Sequence, residues 1–240
     1  MKKGRLLLIP VPLGEAPIEN SLVPALGEAI ADMREFIVEN ERTARRFLKA
    51  MGIQTPLEEL QFRVYGKHAK DSGTGVDEYL RPAMAGRDLG LLSEAGCPAI
   101  ADPGAAIVRR AHEKGIQVMP FVGASSLILA LMASGFNGQQ FAFHGYLPIH
   151  RAERARKLQE LERSSRKLQQ TQLFIETPFR NNQLLEDLLA TCHQDTSLSI
   201  SCDLTTATEF IATRRIGEWK KQPVPDLHKR PAVFVLYSGG

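Results

Sequence analysis

Three segments of the chain combine residue types suited to holding a polar ligand. The first is Ser93-Glu94-Ala95-Gly96-Cys97-Pro98-Ala99-Ile100-Ala101-Asp102-Pro103-Gly104. Its small residues let a ligand approach the backbone, its prolines hold the loop open, and Glu94 and Asp102 offer acceptors for hydroxyls or a cation. The second, Val122-Gly123-Ala124-Ser125-Ser126, places two serines where they can cap a following helix or leave backbone N–H groups for a carboxylate. The third, Glu176-Thr177-Pro178-Phe179-Arg180, sets an acid and a base on either side of a turn. Each has a plainer reading: turn building for the first, capping without a ligand for the second, a surface ion pair for the third.

Several chemistries are absent from the sequence. No GxGxxG, GxxxxGK[ST], GxSxG or HExxH occurs, which removes the usual signatures of dinucleotide sites, P-loops, hydrolase nucleophiles and zincins. Cys97, Cys192 and Cys202 are odd in number and far apart, and the six histidines form no metal-type pair, so neither a disulfide framework nor a bound metal is expected. The apolar run Leu6–Ile9 is too short for a signal peptide, and no stretch reaches the roughly 20 apolar residues of a membrane-spanning helix. A soluble, cytoplasmic protein with no membrane partner is expected. A net charge of +3 on 240 residues is too weak to mark a nucleic-acid binder, but residues 151–171 hold seven Lys or Arg against three Glu.

The elements that must position these segments are short apolar runs alternating with helical patterns. Leu6–Ile9, Phe36–Val38, Leu89–Leu92 and Gln117–Phe121 read as strands, separated by helices over Ser21–Asp32, through Arg45–Met51, and over Ala106–Lys114 before Gly115. That alternation predicts an α/β domain with a mainly parallel sheet. Beyond it, an apolar helix through Ser134, strands near Phe141–Phe143, Gln172–Ile175, Leu198–Ser201 and Pro231–Tyr237, and a helix near Asn182–Cys192 make a second α/β domain. The boundary is placed at 120/121, giving domains 1–120 and 121–240. In the basic segment, Leu158, Leu161 and Leu168 are expected to face inward, leaving the cations outside.

In order along the chain, these residues resemble the tetrapyrrole methylase superfamily, in its ribosomal RNA small subunit methyltransferase I branch. Leu8-Ile9-Pro10-Val11-Pro12-Leu13-Gly14 resembles the family's opening IVPTPIGN, and Ser93–Gly104 resembles SDAGTPLISDPG. Val122–Ser126 is similar to its PGPSA loop, Phe143–Pro148 to its F-x-GFLP segment, and Glu176–Arg180 to YESPHR. Where the family has AEDTRHT, this chain has Val38-Glu39-Asn40-Glu41-Arg42-Thr43-Ala44; Tyr65 and His68 remain of a YHEHN-like segment while Ala69 replaces Asn. Ser201-Cys202-Asp203-Leu204 lacks the Arg of AREL, and the sequence ends soon after the last expected strand, without the extra C-terminal piece that the resemblance would lead one to expect.

The resemblance implies two α/β domains of the tetrapyrrole methylase type with S-adenosylmethionine in the cleft between them, a homodimer, and 2′-O-methylation of a ribose in small-subunit rRNA. It assigns cofactor binding to Pro10, Pro12, Gly14, Ser93, Glu94, Ala95, Gly96, Asp102, Ala124, Ser125, Ser126, Leu147 and Pro148. Glu39, Arg42, His68 and Glu176 become candidates for the catalytic step, and Arg154, Arg156 and Arg180 for contacts to RNA. A methyltransferase for a small molecule or another RNA, or an inactive cofactor- or RNA-binding protein, fits the same residues. The apolar stretch Leu127–Met132 is the expected dimer surface.

Overall fold

Leu6 through Ile9 alternate between two apolar layers, so strand β1 (Arg5–Ile9) is buried on both faces, as a strand inside a parallel sheet must be. The computed structural model describes residues 2–66 and 73–239, in two compact units, Met1–Ser125 and Ser126–Gly240. In the first, β1 is followed by α1 (Pro24–Ile30), β2 (Glu35–Val38), α2 (Glu41–Ala50), β3 (Gln61–Val64), α3 (Gly73–Met84), β4 (Leu89–Leu92), α4 (Ala105–Glu113) and β5 (Gln117–Pro120). The strand order is β3-β2-β4-β1-β5 and every pairing is parallel. One face of this sheet packs Leu7, Ile9, Phe36 and Val38 against α1 and α2, and the other packs Leu6, Ile37, Leu89 and Leu91 against α3 and α4.

Local chemistry sets the helix limits. α1 begins at Pro24, later than the spacing of Leu22 suggests, because proline fits only the first turn of a helix. Leu22 instead forms an isolated bridge with Gly123. α2 begins at Glu41, earlier than expected, because the Asn40 side chain accepts from the backbone N–H of Arg42 (2.9 Å) and Thr43 (3.4 Å).

The second unit runs α5 (Ser126–Ser134), β6 (Phe141–Tyr146), α6 (Arg151–Leu168), β7 (Thr171–Ile175), α7 (Asn181–Thr191), β8 (Ser197–Cys202), β9 (Phe210–Arg215), α8 (Ile216–Trp219) and β10 (Ala232–Tyr237). Its order is β6-β7-β10-β8-β9, with β6 and β7 parallel and β10 antiparallel to both its neighbours. Phe174, Ile200 and Phe234 carry one face of the sheet onto α6, α7 and α8, where the indole N–H of Trp219 donates to the carbonyl of Leu198 at 3.0 Å. Cys192 and Cys202 lie in this core, and burial pushes their thiols up to about 12 and about 11. The apolar stretch of α5 divides: Ala130 and Leu131 are buried, whereas Ile128 and Met132 are exposed.

The inward stripe of α6 corrects the sequence reading. Arg154, Leu158, Leu161 and Ser165 face the core, and Leu168 is exposed. Arg154 is 1% exposed. Its Nε donates to Asp187 Oδ2 at 2.8 Å, its Nη2 to the same oxygen, and its Nη1 to the carbonyls of Pro148 (3.2 Å) and Ile149 (2.7 Å). Arg151 donates to Asp187 Oδ1 at 2.8 Å. Arg154 therefore has no face left for a phosphate and joins α6 to α7. Asp187→Ala, which strands a buried guanidinium, is expected to lower the stability of the second unit by about 3–5 kcal/mol, and Arg154→Met with Asp187→Leu by much less. Urea unfolding followed by the fluorescence of Trp219, the chain's one tryptophan, measures both.

Candidate active site

Parallel strands end on one side of a sheet, so the loops after β1, β2, β4 and β5 share an edge of the first unit. Hydrogen bonds draw them together. Val11 and Gly96 exchange backbone bonds of 2.9 Å in each direction, lacing the Pro10–Gly14 loop to the Ser93–Gly104 loop. The thiol of Cys97 donates to the carbonyl of Ala124 at 3.4 Å, which brings in the loop after β5. At the end of β2, Glu39 Oε1 accepts from the N–H of Glu94 (3.1 Å), while Glu94 Oε1 accepts from the Thr43 hydroxyl (2.7 Å). Glu39, Asn40, Thr43, Ser93 and Glu94 line a small hollow of about 10 Å³ together with Val11 and other apolar side chains.

Two glycines make these approaches possible. Gly96 has φ +74°, in the left-handed region that side chains resist. A Cβ on Gly123 would stand 2.2 Å from that of Pro10, so the first and third loops meet only because this residue has none.

The Ser93–Gly104 loop also holds its own shape. The Ser93 hydroxyl donates to the carbonyls of Ala95 (3.2 Å) and Gly96 (3.1 Å). The Asp102 carboxylate accepts from the N–H groups of Ala99 (2.9 Å) and Gly104 (2.6 Å). Desolvation raises the pKa of Asp102 against the opposing pull of these two N–H groups. Asp102 thus shapes the loop from within. Ala99 (φ 67°) and Ala101 (φ 60°) are both held left-handed, a conformation that surrounding bonds must enforce.

Most of the expected cofactor residues on the first unit, including Pro10, Pro12, Gly14, Ser93 through Gly96, Ala124 and Ser125, are gathered at this edge. Ser126, Leu147 and Pro148 lie on the second unit, where Leu147 is buried and the carbonyl of Pro148 is held by Arg154. Arg42 is exposed at the start of α2, and His68 lies outside the described residues. Glu176 and Arg180 stand together after β7: Glu176 Oε1 accepts from the Thr177 N–H and from Arg180 Nη2, both at 2.6 Å. The hydrogen bond that Arg180 donates to Glu176 is the main cause of a raised Arg180 pKa. Arg156 is exposed on α6. Sequence reasoning missed Thr43, Cys97 and Asn40 as builders of this edge; of these, Asn40 carried a legible signal, an N-cap residue before a helical pattern.

The fold has a known counterpart. Over 98% of this chain and 99% of the other, the structure is similar to the crystal structure of the methyltransferase CobJ, with a TM-score of 0.63 and 17% sequence identity. No family model matches the chain. Proteins named ribosomal RNA small subunit methyltransferase I match along most of its length: that of Bacillus subtilis is 31% identical over 216 residues, covering 90% of this chain and 68% of the relative. The one from Xylella fastidiosa is 29% identical over 237 residues, covering 99% and 82%. The Synechocystis protein is 30% identical over 202 residues, covering 84% and 67%. The chain belongs to the ribosomal RNA small subunit methyltransferase I family.

Gly123→Ala is expected to destabilise the first unit by about 1–3 kcal/mol, since the new methyl must push the Pro10 and Gly123 loops apart. Hydrogen exchange of the β1 and β5 amides reads the loss.

Proposed function

We propose that the protein transfers the methyl group of S-adenosylmethionine to a ribose 2′-hydroxyl of small-subunit ribosomal RNA. Its membership of the ribosomal RNA small subunit methyltransferase I family supports methyl transfer to that RNA, the resemblance of its loops extends this to the ribose oxygen, and the loops after β1, β4 and β5 are the proposed place for the cofactor. The residues there fit such a ligand. Ala95, Gly96, Ala124 and Ser125 are small enough for close approach to the backbone, and the carboxylates of Glu39 and Glu94 complement a positively charged donor. When bound, the cofactor supplies an activated methyl group on a sulfonium.

The chain's own part is to bind, align and manage one proton. Holding the acceptor oxygen about 3 Å from the methyl carbon and in line with its bond accounts for most of the acceleration such a reaction needs. Loops fixed by Ser93, Asp102 and the Val11–Gly96 bridge serve that alignment, because they hold their geometry without the ligand. Glu39 and Glu176 are the candidates to orient the attacking hydroxyl and receive its proton. Each is also tied to a neighbour, Glu39 to the Glu94 N–H and Glu176 to Arg180. A homodimer and a cytoplasmic setting belong to the same reading.

Incubation with cofactor carrying a labelled methyl group and small ribosomal subunits tests the function. Label is expected in small-subunit rRNA at a position that resists alkaline cleavage, since a methylated 2′-oxygen cannot attack the adjacent phosphate. Label found only in small molecules of a protein-free extract overturns the RNA reading, and no transfer at all overturns the enzyme.

The RNA contacts move outward from Arg154 to its exposed neighbours. Arg156, Arg163 and Lys167 line the outer face of α6, and Arg163 and Lys167 share a groove with Glu162 and Arg166. Arg156→Glu with Arg163→Glu is expected to weaken RNA binding and reduce the slope of log affinity against log salt by about two, while cofactor affinity stays unchanged. Filter binding across a salt series shows it.

A further inference from the structure

Polar atoms buried without a partner are scarce in a folded protein, because each forfeits its bond to water. Among the described residues six side-chain atoms are in that state, and five belong to Glu176, Arg180, Asn181, Ser201 and Thr205. All five residues sit at the ends of β7 and β8 or just beyond. These strands run in the same direction, both being antiparallel to β10, and β6 runs parallel to β7. The five atoms therefore collect at the carboxyl-end edge of the second sheet, the edge where α/β sheets take their ligands.

Further bonds draw the segments at this edge together. Asn181 Nδ2 donates to the Arg230 carbonyl (2.7 Å), Arg230 Nε donates to Asp203 Oδ2 (2.7 Å), and the Lys229 N–H donates to the Pro178 carbonyl (3.0 Å). Asp203 and Thr205 both have positive φ, 50° and 70°.

The chemistry of the unpartnered atoms selects the ligand. The Glu176 side chain is 1% exposed; one carboxylate oxygen is occupied by Thr177 and Arg180, and Oε2 accepts from nothing. Beside it, Arg180 Nε has a proton and no acceptor. A phosphate would satisfy the guanidinium and repel the carboxylate; an ammonium would do the reverse. An alcohol satisfies both, donating its proton to Oε2 and accepting from Nε. Asn181 Oδ1 and the Thr205 hydroxyl are further unpartnered atoms at the same edge, an acceptor and a hydroxyl that a second alcohol can satisfy. We propose that Glu176, Arg180, Asn181 and Thr205 form a subsite for the hydroxyl groups of a ribose, with the Glu176 carboxylate as the anionic acceptor.

This inference rests on the proposed function only in naming its two sources of ribose, the cofactor's adenosine and the RNA. Calorimetry on the full chain separates them. One arm compares S-adenosylhomocysteine with its analogues lacking the ribose 2′- or 3′-hydroxyl; the other compares a small-subunit rRNA fragment with DNA of the same sequence. In one of the two arms the unaltered protein is expected to lose about tenfold or more in affinity when the hydroxyls are removed, the worth of a hydrogen bond to a charged group. Glu176→Gln, which puts an N–H where Oε2 was, should bring the paired ligands within about twofold of each other. Arg180→Lys retains the charge at a half-exposed position but loses Nε, and should narrow the gap in the same arm.

Discrimination that survives intact in both variants overturns the subsite, because the hydroxyls are then recognised elsewhere, as does its absence from both arms in the unaltered protein. Methyl transfer to rRNA measured in parallel distinguishes the two ideas. Transfer with discrimination indifferent to Glu176 removes only the subsite, whereas Glu176-dependent discrimination without transfer removes only the proposed reaction.

Discussion

The parallel alignment of the five strands in the first unit governs what its loops can do. Each crossover returns the chain to the same starting edge, so the loops after β1, β2, β4 and β5 have no choice but to emerge together. Proximity alone does not fix a site. Here the Val11–Gly96 bridge, the Glu39 acceptor under the Glu94 N–H and the contact of Cys97 with Ala124 convert neighbouring loops into one rigid edge. Within the longest loop, two left-handed alanines each carry a conformational cost on the order of 1–3 kcal/mol, met by the bonds of Asp102 and Ser93. A ligand bound at this edge would meet a surface already ordered, and its binding energy would not be drawn down by ordering the loop.

Much of this was legible in the sequence because buried parallel strands announce themselves as unbroken apolar runs. β1, β2 and β4 follow such runs inside their sheet, while β5, half-covered at the sheet edge, was placed by the helix-ending Gly115 before it; the Gly- and Pro-rich loops after β1 and β4 are where the candidate site is gathered. β3 and β9 were not legible. Each lies at an edge of its sheet, and Gln61–Val64 and Phe210–Arg215 mix polar residues with apolar ones as half-covered strands do. α3 was hidden by Gly73, Gly75 and the Pro82 in its interior, residues that argue against a helix when read locally.

Arg154 shows a different limit. Its spacing to Leu158, Leu161 and Ser165 is that of an inward helical stripe, yet a cation among other cations reads as a surface residue until its partner is known. That partner, Asp187, is 33 residues away on α7, between Leu184, Leu185 and Leu188. An acid set in an apolar stripe is a signal of the same kind, and the two become interpretable only as a pair. The edge of the second unit formed by Glu176, Asp203, Thr205 and Arg230 is less legible still, since its members come from three distant segments and two of them depend on backbone conformations that no motif encodes.

The core position of Cys192 and Cys202 sets a time scale for chemistry on sulfur. With their thiols pushed up to about 12 and about 11, the reactive thiolate is about one part in ten thousand or less at neutral pH. Alkylation or oxidation of either sulfur is therefore expected to wait for the second unit to open, and its rate to follow how often that unit is open. The half-exposed Cys97, in the first unit, has its thiol raised by burial as well but stands nearer the solvent. Three sulfurs thus give the chain two built-in clocks, a slower one in the second unit's core and a faster one at the edge where the loops of the first unit meet.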